Sequence, residues 1–440
     1  LHSAFFETCY CRTKMPHSTS TANAEMGSGV SSQPNRLKNA VQKNFKGKKL
    51  LTSASGPAIK KTEPKKGLEA KAAVLYEPNT PFVIETVEII PPKRGEVLVK
   101  VNAVGVCHSD WHVANGATDH PFPVVCGHEG AGVVEAVGEG VSELKPGDAV
   151  ALNWAPFCRK CFYCLRNKPS LCQEYTETIW AGTMGDKTTR FRSKAGQTIH
   201  HFSGLGCFAE RCVVSASSCV PLPPSLPFPV AALIGCAVTT GVGSVMNTAK
   251  VEPCSSVAVF GCGGVGLSTI IGAKLSGATD IIAVDIVKEK VDMAHEFGAT
   301  LGIVYEGEGE NTVEDIRRAT EGRGADYVFE AIGIPAVQER ALEAVRPGGC
   351  LVLSGLAKMG TTASFPTSLI TRQEKSILGS YYGTCNTARD FPLYADIHLK
   401  KQFDLTQLIT KTYQLEDINE AYQDMLEGRV ARGIIVFNQD

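Results

Sequence analysis

Val257-Ala258-Val259-Phe260-Gly261-Cys262-Gly263-Gly264-Val265-Gly266 decides how this chain folds. Four β-type apolar residues read as a short buried strand, and the run from Val265 to Leu275 reads as a helix. Between them, Gly261, Gly263 and Gly266 form G-x-G-x-x-G, a turn in which the backbone can approach a pyrophosphate at a helix N-terminus. Such a fingerprint alone is often only a turn. Here a second strand, Asp280 to Val284, ends at Asp285, nineteen residues beyond Gly266, where an acid binds ribose hydroxyls. Asp285 would repel a 2′-phosphate, so the spacing predicts NAD rather than NADP.

Downstream the alternation continues. Lys288 to Phe297 reads as a helix, Tyr327 to Glu330 and Cys350 to Ser354 as later strands of one parallel sheet, and Leu415 to Glu427 as an amphipathic helix before a closing strand, Gly433 to Phe437. Upstream, beyond the proline-rich boundary Pro221 to Pro229, the texture is all-β. Ala72 to Tyr76, Phe82 to Ile90, Glu96 to Val104 and Ala149 to Asn153 read as strands of a small barrel-like domain punctuated by Pro and Gly. A chain of 440 residues, 43% of them apolar, is expected to fill two cores.

Sixteen cysteines are the next signal. Cys158, Cys161, Cys164 and Cys172 stand as C-x2-C-x2-C-x7-C, a spacing at which four thiolates converge on one ion and close a structural zinc site. A ferredoxin-type cluster would want its fourth Cys where Lys168 stands, and disulfides would want an oxidising compartment, of which the sequence gives no sign. Arg159, Lys160, Arg166 and Lys168 on the same lobe read as a solvated basic loop rather than a nucleic-acid module. Cys107, His128 and Cys236 are dispersed, and each alone reads as a packed residue. Together they supply two sulfurs and a nitrogen, the donor set of a catalytic zinc that keeps one position open. Asp110 and Glu129 could orient the imidazole or the metal from behind. Spacing does not show that these residues meet.

Taken together, the three constellations resemble the zinc-containing alcohol dehydrogenases of the medium-chain dehydrogenase/reductase superfamily, over about residues 70 to 440. Gly182-Thr183-Met184, Thr189-Arg190-Phe191 and Ile199-His200-His201-Phe202 resemble the long form found in animals and plants. The resemblance implies an α/β protein with a Rossmann doubly wound parallel sheet domain at 236–381. It adds a GroES-like β-barrel catalytic domain split over 68–235 and 382–440, and a homodimer formed through the Rossmann sheets. It implies two zincs per subunit, one catalytic on Cys107, His128 and Cys236 and one structural on Cys158, Cys161, Cys164 and Cys172. Ser109 matches the family's proton-relay hydroxyl and His112 the relay's outer end. His108 and Arg432 match positions near the pyrophosphate, Lys290 a contact to the adenosine ribose, and Thr240 and Val265 the nicotinamide pocket. Trp154, Phe202, Leu356 and Tyr381 fall where the family lines its alcohol pocket, positions that ordinary core packing explains equally well.

The implied activity is reversible oxidation of a primary or secondary alcohol, with zinc as Lewis acid and hydride transfer to NAD. The glutathione-dependent formaldehyde branch, acting on S-(hydroxymethyl)glutathione, is the alternative. The chain resembles that branch in the length of the loop after Cys172 and in Gly127-His128-Glu129-Gly130. It departs from it at Thr176, where an Arg is expected, and at His112, where a Tyr is expected. A non-enzymatic zinc and NAD-binding role would need neither Ser109 nor His112.

Residues 1–67 stand apart. The first 66 hold twelve Lys and Arg, against Glu7, Glu25 and Glu63, in a Ser/Thr/Asn-rich composition that reads as a disordered basic leader. An organelle transit peptide and a plain basic tail are both compatible with it, so the expected location is the cytoplasm, or a mitochondrion or plastid if the leader is a transit peptide. With a net charge of -1, neither nucleic acid nor an anionic membrane is an expected partner. No run of roughly 18 uninterrupted apolar residues is found, so no membrane span is expected.

Overall fold

Three sheets organise the computed structural model, which describes residues 67–437 apart from 306 and 308–310. All but the last residue of the basic leader, 1–66, therefore lie outside the described residues. Leu68–Leu75, Val83–Ile89, Phe191–Ser193, Thr198–His201 and Val124–Val125 close into a barrel. Beside it, a second sheet is centred on the long strand Glu96–Gly105, which pairs with Glu129–Val137 on one side and with both Arg211–Ser215 and the C-terminal strand Arg432–Val436. The end of the chain thus returns to the N-terminal β region, with Ile434 opposite Gly105. Period-2 patterning makes such strands legible because alternate side chains go to opposite faces.

The third sheet is six-stranded and wholly parallel, in the order Leu301–Val304, Asp280–Asp285, Ser256–Phe260, Ala325–Glu330, Val345–Leu353, Ser376–Gly379. Val257, Ala258 and Val259 are fully buried, as expected of a central parallel strand covered by helices on both faces. The strand order reverses between Ser256–Phe260 and Ala325–Glu330, so a crevice opens at their carboxyl ends, where doubly wound sheets bind ligands. The fold is the α/β class expected, a parallel doubly wound sheet beside a β-barrel.

One long helical segment corrects the reading of the chain. Phe228–Ala249 has the length and mean hydropathy, 1.7, of a membrane span, although it contains no uninterrupted apolar run of that length, and it is 89% buried within the protein. Its apolar surface is spent on the core, where Val230, Leu233, Val238 and Val242 are fully buried. The segment contains a π-helical turn at Ile234–Val238. Widening a helix frees carbonyls, and side chains satisfy them here: Thr239 Oγ1 donates to Ile234 O at 2.6 Å, and Tyr382 Oη donates to Gly235 O.

Candidate active site

That widened turn carries Cys236. Opposite it, Cys107 caps the short helix His108–Ala114, and His128 immediately precedes the strand Glu129–Val137, which Glu129 opens. The structure brings all four together: one donor atom from each of Cys107, His128, Glu129 and Cys236 lies within 4.8 Å of the others, and all four residues are buried. Asp110 fixes the imidazole. Its Oδ1 accepts from Gly127 N at 2.7 Å, and its Oδ2 sits 2.8 Å from His128 Nδ1. With Nδ1 held there, Nε2 is the nitrogen turned toward the sulfurs.

The electrostatics of this cluster fit a divalent metal. In the buried thiol pair, the hydrogen bond from Cys236 and the charge of His128 hold Cys107 well below the ordinary thiol range, while the same bond and burial drive Cys236 well above it. Burial alone would lower His128, but Asp110 and Cys107 outweigh it and raise the imidazole. Two thiols and an imidazole held this close compete for protons, and a metal that ionises both thiols would relieve that competition. Glu129, raised to about 7 by burial against the pull of Arg432, ion-pairs with Arg432 through Oε2. Its Oε1, buried and without a hydrogen-bond partner, lies 4.0 Å from His128 Nε2. Glu129 thus stands among the donor atoms as well as behind them.

The four clustered cysteines converge on a separate lobe. The sulfurs of Cys161 and Cys164 are 3.5 Å apart, and those of Cys158 and Cys164, and of Cys161 and Cys172, are 3.9 Å apart. Four thiolates at Zn–S of about 2.3 Å on a tetrahedron would stand about 3.8 Å apart. Backbone N–H groups of Cys158 and Cys161 donate to Cys172 and Cys158 sulfurs at 3.3 Å, supporting the charge such a site would hold.

The glycine turn occupies the carboxyl end of Ser256–Phe260. Gly261 has φ +96, and a Cβ on Gly266 would lie 1.7 Å from Gly261 O, so neither position admits a side chain. A Cβ on Gly263 would meet nothing within 4 Å, leaving open space at the N-terminus of the twelve-residue helix Gly264–Leu275. Asp285 is pinned by Cys262 N at 2.7 Å and Val287 N at 3.0 Å. One cleft of about 1600 Å³ joins this turn to the buried cluster, lined at one end by Gly263, Asp285 and Lys290 and at the other by Cys107, His128 and Cys236. His108, Ser109, His112, Thr240, Val265 and Arg432 also line it. Arg432 packs against Gly264 and bridges the two ends through its pair with Glu129.

The end at the sulfur and imidazole cluster has aromatic walls. Phe202 and Trp154 meet the His128 ring edge-to-face at 5.6 and 6.3 Å, and Trp154 contacts Tyr381 and Tyr382. Leu356 lies exposed at the rim. Tyr382, Phe162, Leu171, Trp180, Arg166 and Lys168 line the cleft as well, and the sequence had pointed to none of them as site residues. Arg166 and Lys168 were read as part of a solvated loop. The lobe folds back so that both reach the cleft, a tertiary placement with no local signal in the sequence.

Residues 93–224 match the alcohol dehydrogenase GroES-like domain and residues 264–398 the zinc-binding dehydrogenase domain. An alcohol dehydrogenase zinc-binding domain protein from Burkholderia ambifaria shares 34% identity and superposes with a TM-score of 0.81, over 84% of this chain and 100% of that one. The chain belongs to the zinc-containing alcohol dehydrogenases of the medium-chain dehydrogenase/reductase superfamily. Benzyl alcohol dehydrogenase from Acinetobacter calcoaceticus is 31% identical with a TM-score of 0.79, over the same shares of the two chains. A short chain alcohol dehydrogenase from E. coli CFT073, solved with NADH, is 25% identical with a TM-score of 0.69, again over 84% and 100%. Membership makes the protein an oxidoreductase, and it accounts for the pairing of a buried sulfur and imidazole cluster with a glycine turn in one cleft.

Proposed function

We propose that the protein is an NAD-dependent alcohol dehydrogenase with two zincs per chain, one held by Cys107, His128 and Cys236 and the other by Cys158, Cys161, Cys164 and Cys172. It oxidises a primary or secondary alcohol to the aldehyde or ketone. The observation that carries this reading is the shared cleft: the Cys107, His128, Cys236 cluster and the Gly263 opening face one continuous space. When bound, zinc supplies Lewis acidity toward an alcohol oxygen and the nicotinamide accepts hydride.

This chain's residues do the remaining work. Asp110 keeps His128 in the ligating tautomer. Ser109 Oγ lies 3.8 Å from Cys107 Sγ, at the cleft floor, where its hydroxyl can take the proton an alcohol loses. His112 lines the same cleft on the same helix, and burial lowers its imidazole below the ordinary histidine value. It is therefore neutral at neutral pH and able to accept that proton and pass it to solvent. Trp154 and Phe202 exclude water around the reacting carbon. Asp285, with both oxygens oriented, receives the ribose hydroxyls, and Arg432 and the Gly264 helix terminus receive the pyrophosphate. The likeness to a benzyl alcohol dehydrogenase adds aromatic alcohols to the candidates. The reading includes a homodimer joined along Ser376–Gly379, a strand paired on only one side within the sheet.

The test is NAD reduction by purified protein across aliphatic, allylic and benzylic alcohols and S-(hydroxymethyl)glutathione, with metal analysis and a Cys107→Ala control. Turnover of a free alcohol is expected, with two zincs per chain, and an inactive control that retains one. Two zincs per chain with no reduction of NAD or NADP by any alcohol would remove the dehydrogenase reading.

A further inference from the structure

The widened turn that carries Cys236 is held from outside its own helix. Tyr382 Oη donates to Gly235 O, the carbonyl of the peptide bond that joins Gly235 to Cys236. A peptide unit is planar, so fixing that oxygen also fixes the amide nitrogen and Cα of Cys236, from which its sulfur hangs. Gly235 itself has little room to shift. A Cβ there would lie 3.0 Å from Leu152 O and 3.6 Å from Glu129 Cα, so the turn rests against the strands Ala149–Leu152 and Glu129–Val137. Thr239, the other side chain bonded to this turn, reaches Ile234 O, one peptide further from the sulfur.

The backbone that delivers Tyr382 is strained. Tyr382, Gly383 and Thr384 have φ of +53, +62 and +50, three consecutive residues in the left-handed region, of which only one is glycine. For a bulky side chain that conformation is costly, and it persists only where the surroundings over-determine it. Here they do. Asn247 Nδ2 donates to Gly383 O at 3.3 Å, and Thr248 Oγ1 hydrogen-bonds with Ser380 Oγ at 3.0 Å and Thr384 Oγ1 at 2.7 Å, all from the end of the helical segment Phe228–Ala249. The backbones meet as well: a Cβ on Gly383 would lie 2.2 Å from Thr239 O, and one on Gly243 2.6 Å from Gly383 O. The turn Tyr382–Thr384 is thus locked to the helix that carries Cys236. What the strain secures is the inward direction of Tyr382, which is buried with its ring 4.3 Å from that of Trp154.

We infer that Tyr382 is a positioning residue for the metal site: its hydroxyl, acting through the Gly235 carbonyl, aims the Cys236 sulfur at the ion. This rests on the zinc reading of Cys107, His128 and Cys236. Among those donors, His128 is oriented by Asp110 and Cys107 is fixed at the start of a helix. Cys236 sits where the α-helical hydrogen-bond pattern gives way to a π-helical turn, so a donor from outside the helix supplies the constraint that the pattern no longer does. Tyr382 also forms part of the wall behind Trp154. Tyr382→Phe separates the two roles, because it keeps the ring and removes only the hydroxyl.

The experiment compares wild type, Tyr382→Phe and Thr239→Val by readouts that need no turnover. These are zinc content, the rate of zinc loss to a chelator, and the visible spectrum after cobalt(II) replaces zinc, whose thiolate charge-transfer and d–d bands report the arrangement of the ligands. Tyr382→Phe should bind the full zinc complement and release the ion that Cys107→Ala lacks roughly fivefold to tenfold faster than wild type, the fold-change one hydrogen bond is worth. Its cobalt bands should shift. Thr239→Val, which removes a bond to the neighbouring peptide, should leave the bands at their wild-type positions, so a shift in Tyr382→Phe belongs to ligand position and not to a generally looser turn. Unchanged bands and release rate in Tyr382→Phe, or equal shifts in both variants, would overturn the inference and leave the zinc reading standing. A wild type that holds no more metal than Cys107→Ala removes the zinc reading, and the inference with it.

Discussion

At the scale of single residues, the role proposed for Asp285 in cofactor choice rests on how its carboxylate is held. Both carboxylate oxygens accept backbone N–H groups, from Cys262 and Val287, so the group cannot swing away from the cleft. Charge-assisted hydrogen bonds to ribose hydroxyls are worth about 2 kcal/mol, so Asp285→Asn should raise the KM for NAD roughly thirtyfold. The same change removes the repulsion of a 2′-phosphate, so the NAD-to-NADP preference should shrink. Steady-state kinetics with both cofactors decide it, and an unchanged KM for NAD would remove Asp285 from the ribose site. Residue chemistry was the most legible part of the site. Sulfur and imidazole donors are rare enough as a set that Cys107, His128 and Cys236 could be grouped before any contact was known, and the structure places their donor atoms together. Glu129 was harder, because nothing in a sequence shows that one of its oxygens pairs with Arg432 while the other faces the sulfurs.

At the scale of elements, legibility followed the strength of the local pattern. The strands around the glycine turn and the helix Lys288–Phe297 lie where their apolar runs and periodicity put them. Phe228–Ala249 was missed for a physical reason: its Gly235, Gly241 and Gly243, paired threonines and preceding prolines argue against a helix by propensity, and burial on nearly every side overrides that. The short strands Phe191–Ser193 and Thr198–His201 are too brief to show a period, and they exist because the barrel supplies their partners. The cysteine lobe is the opposite case, an element with almost no core. Of its residues 158–168 none is buried, so in the proposed two-zinc protein the metal rather than packing would hold it. Cys161→Ser should therefore release one zinc per chain and open the lobe to trypsin at Arg159, Lys160, Arg166 and Lys168, well before the parallel sheet melts. Fragment masses after brief digestion read this directly. A variant as resistant as wild type would mean the lobe folds without its metal.

At the scale of the whole molecule, one buried histidine couples the barrel to the second sheet. His201 ends a barrel strand opposite Val125, its Nε2 accepts from Arg190 N at 2.8 Å, and its Nδ1 meets Leu205 O at 3.2 Å. Arg190, itself fully buried, sends its guanidinium to Glu96 at the start of the long strand of the second sheet. Both ring nitrogens are thus used by the neutral imidazole alone, since a proton on Nε2 would face the Arg190 N–H. Burial lowers His201 to about 4, with only the Leu205 bond opposing it. Its ordinary value is 6.5, so between these limits the unfolded chain binds a proton that the folded protein refuses. The stability this histidine contributes is complete above its ordinary value and is lost as pH falls through the interval. From pH 7 to pH 5 the loss is about 2 kcal/mol. Because Arg190 carries the contact into the second sheet, that loss belongs to global unfolding and not to a frayed loop. His201→Gln lowers stability at both pH values, yet it should flatten the difference between them by about the same 2 kcal/mol. Denaturant unfolding of the two proteins at pH 7 and pH 5 measures the double difference. Equal pH slopes would mean that His201 is protonated in the folded state, and that the hydrogen bond from Arg190 does not hold the ring neutral.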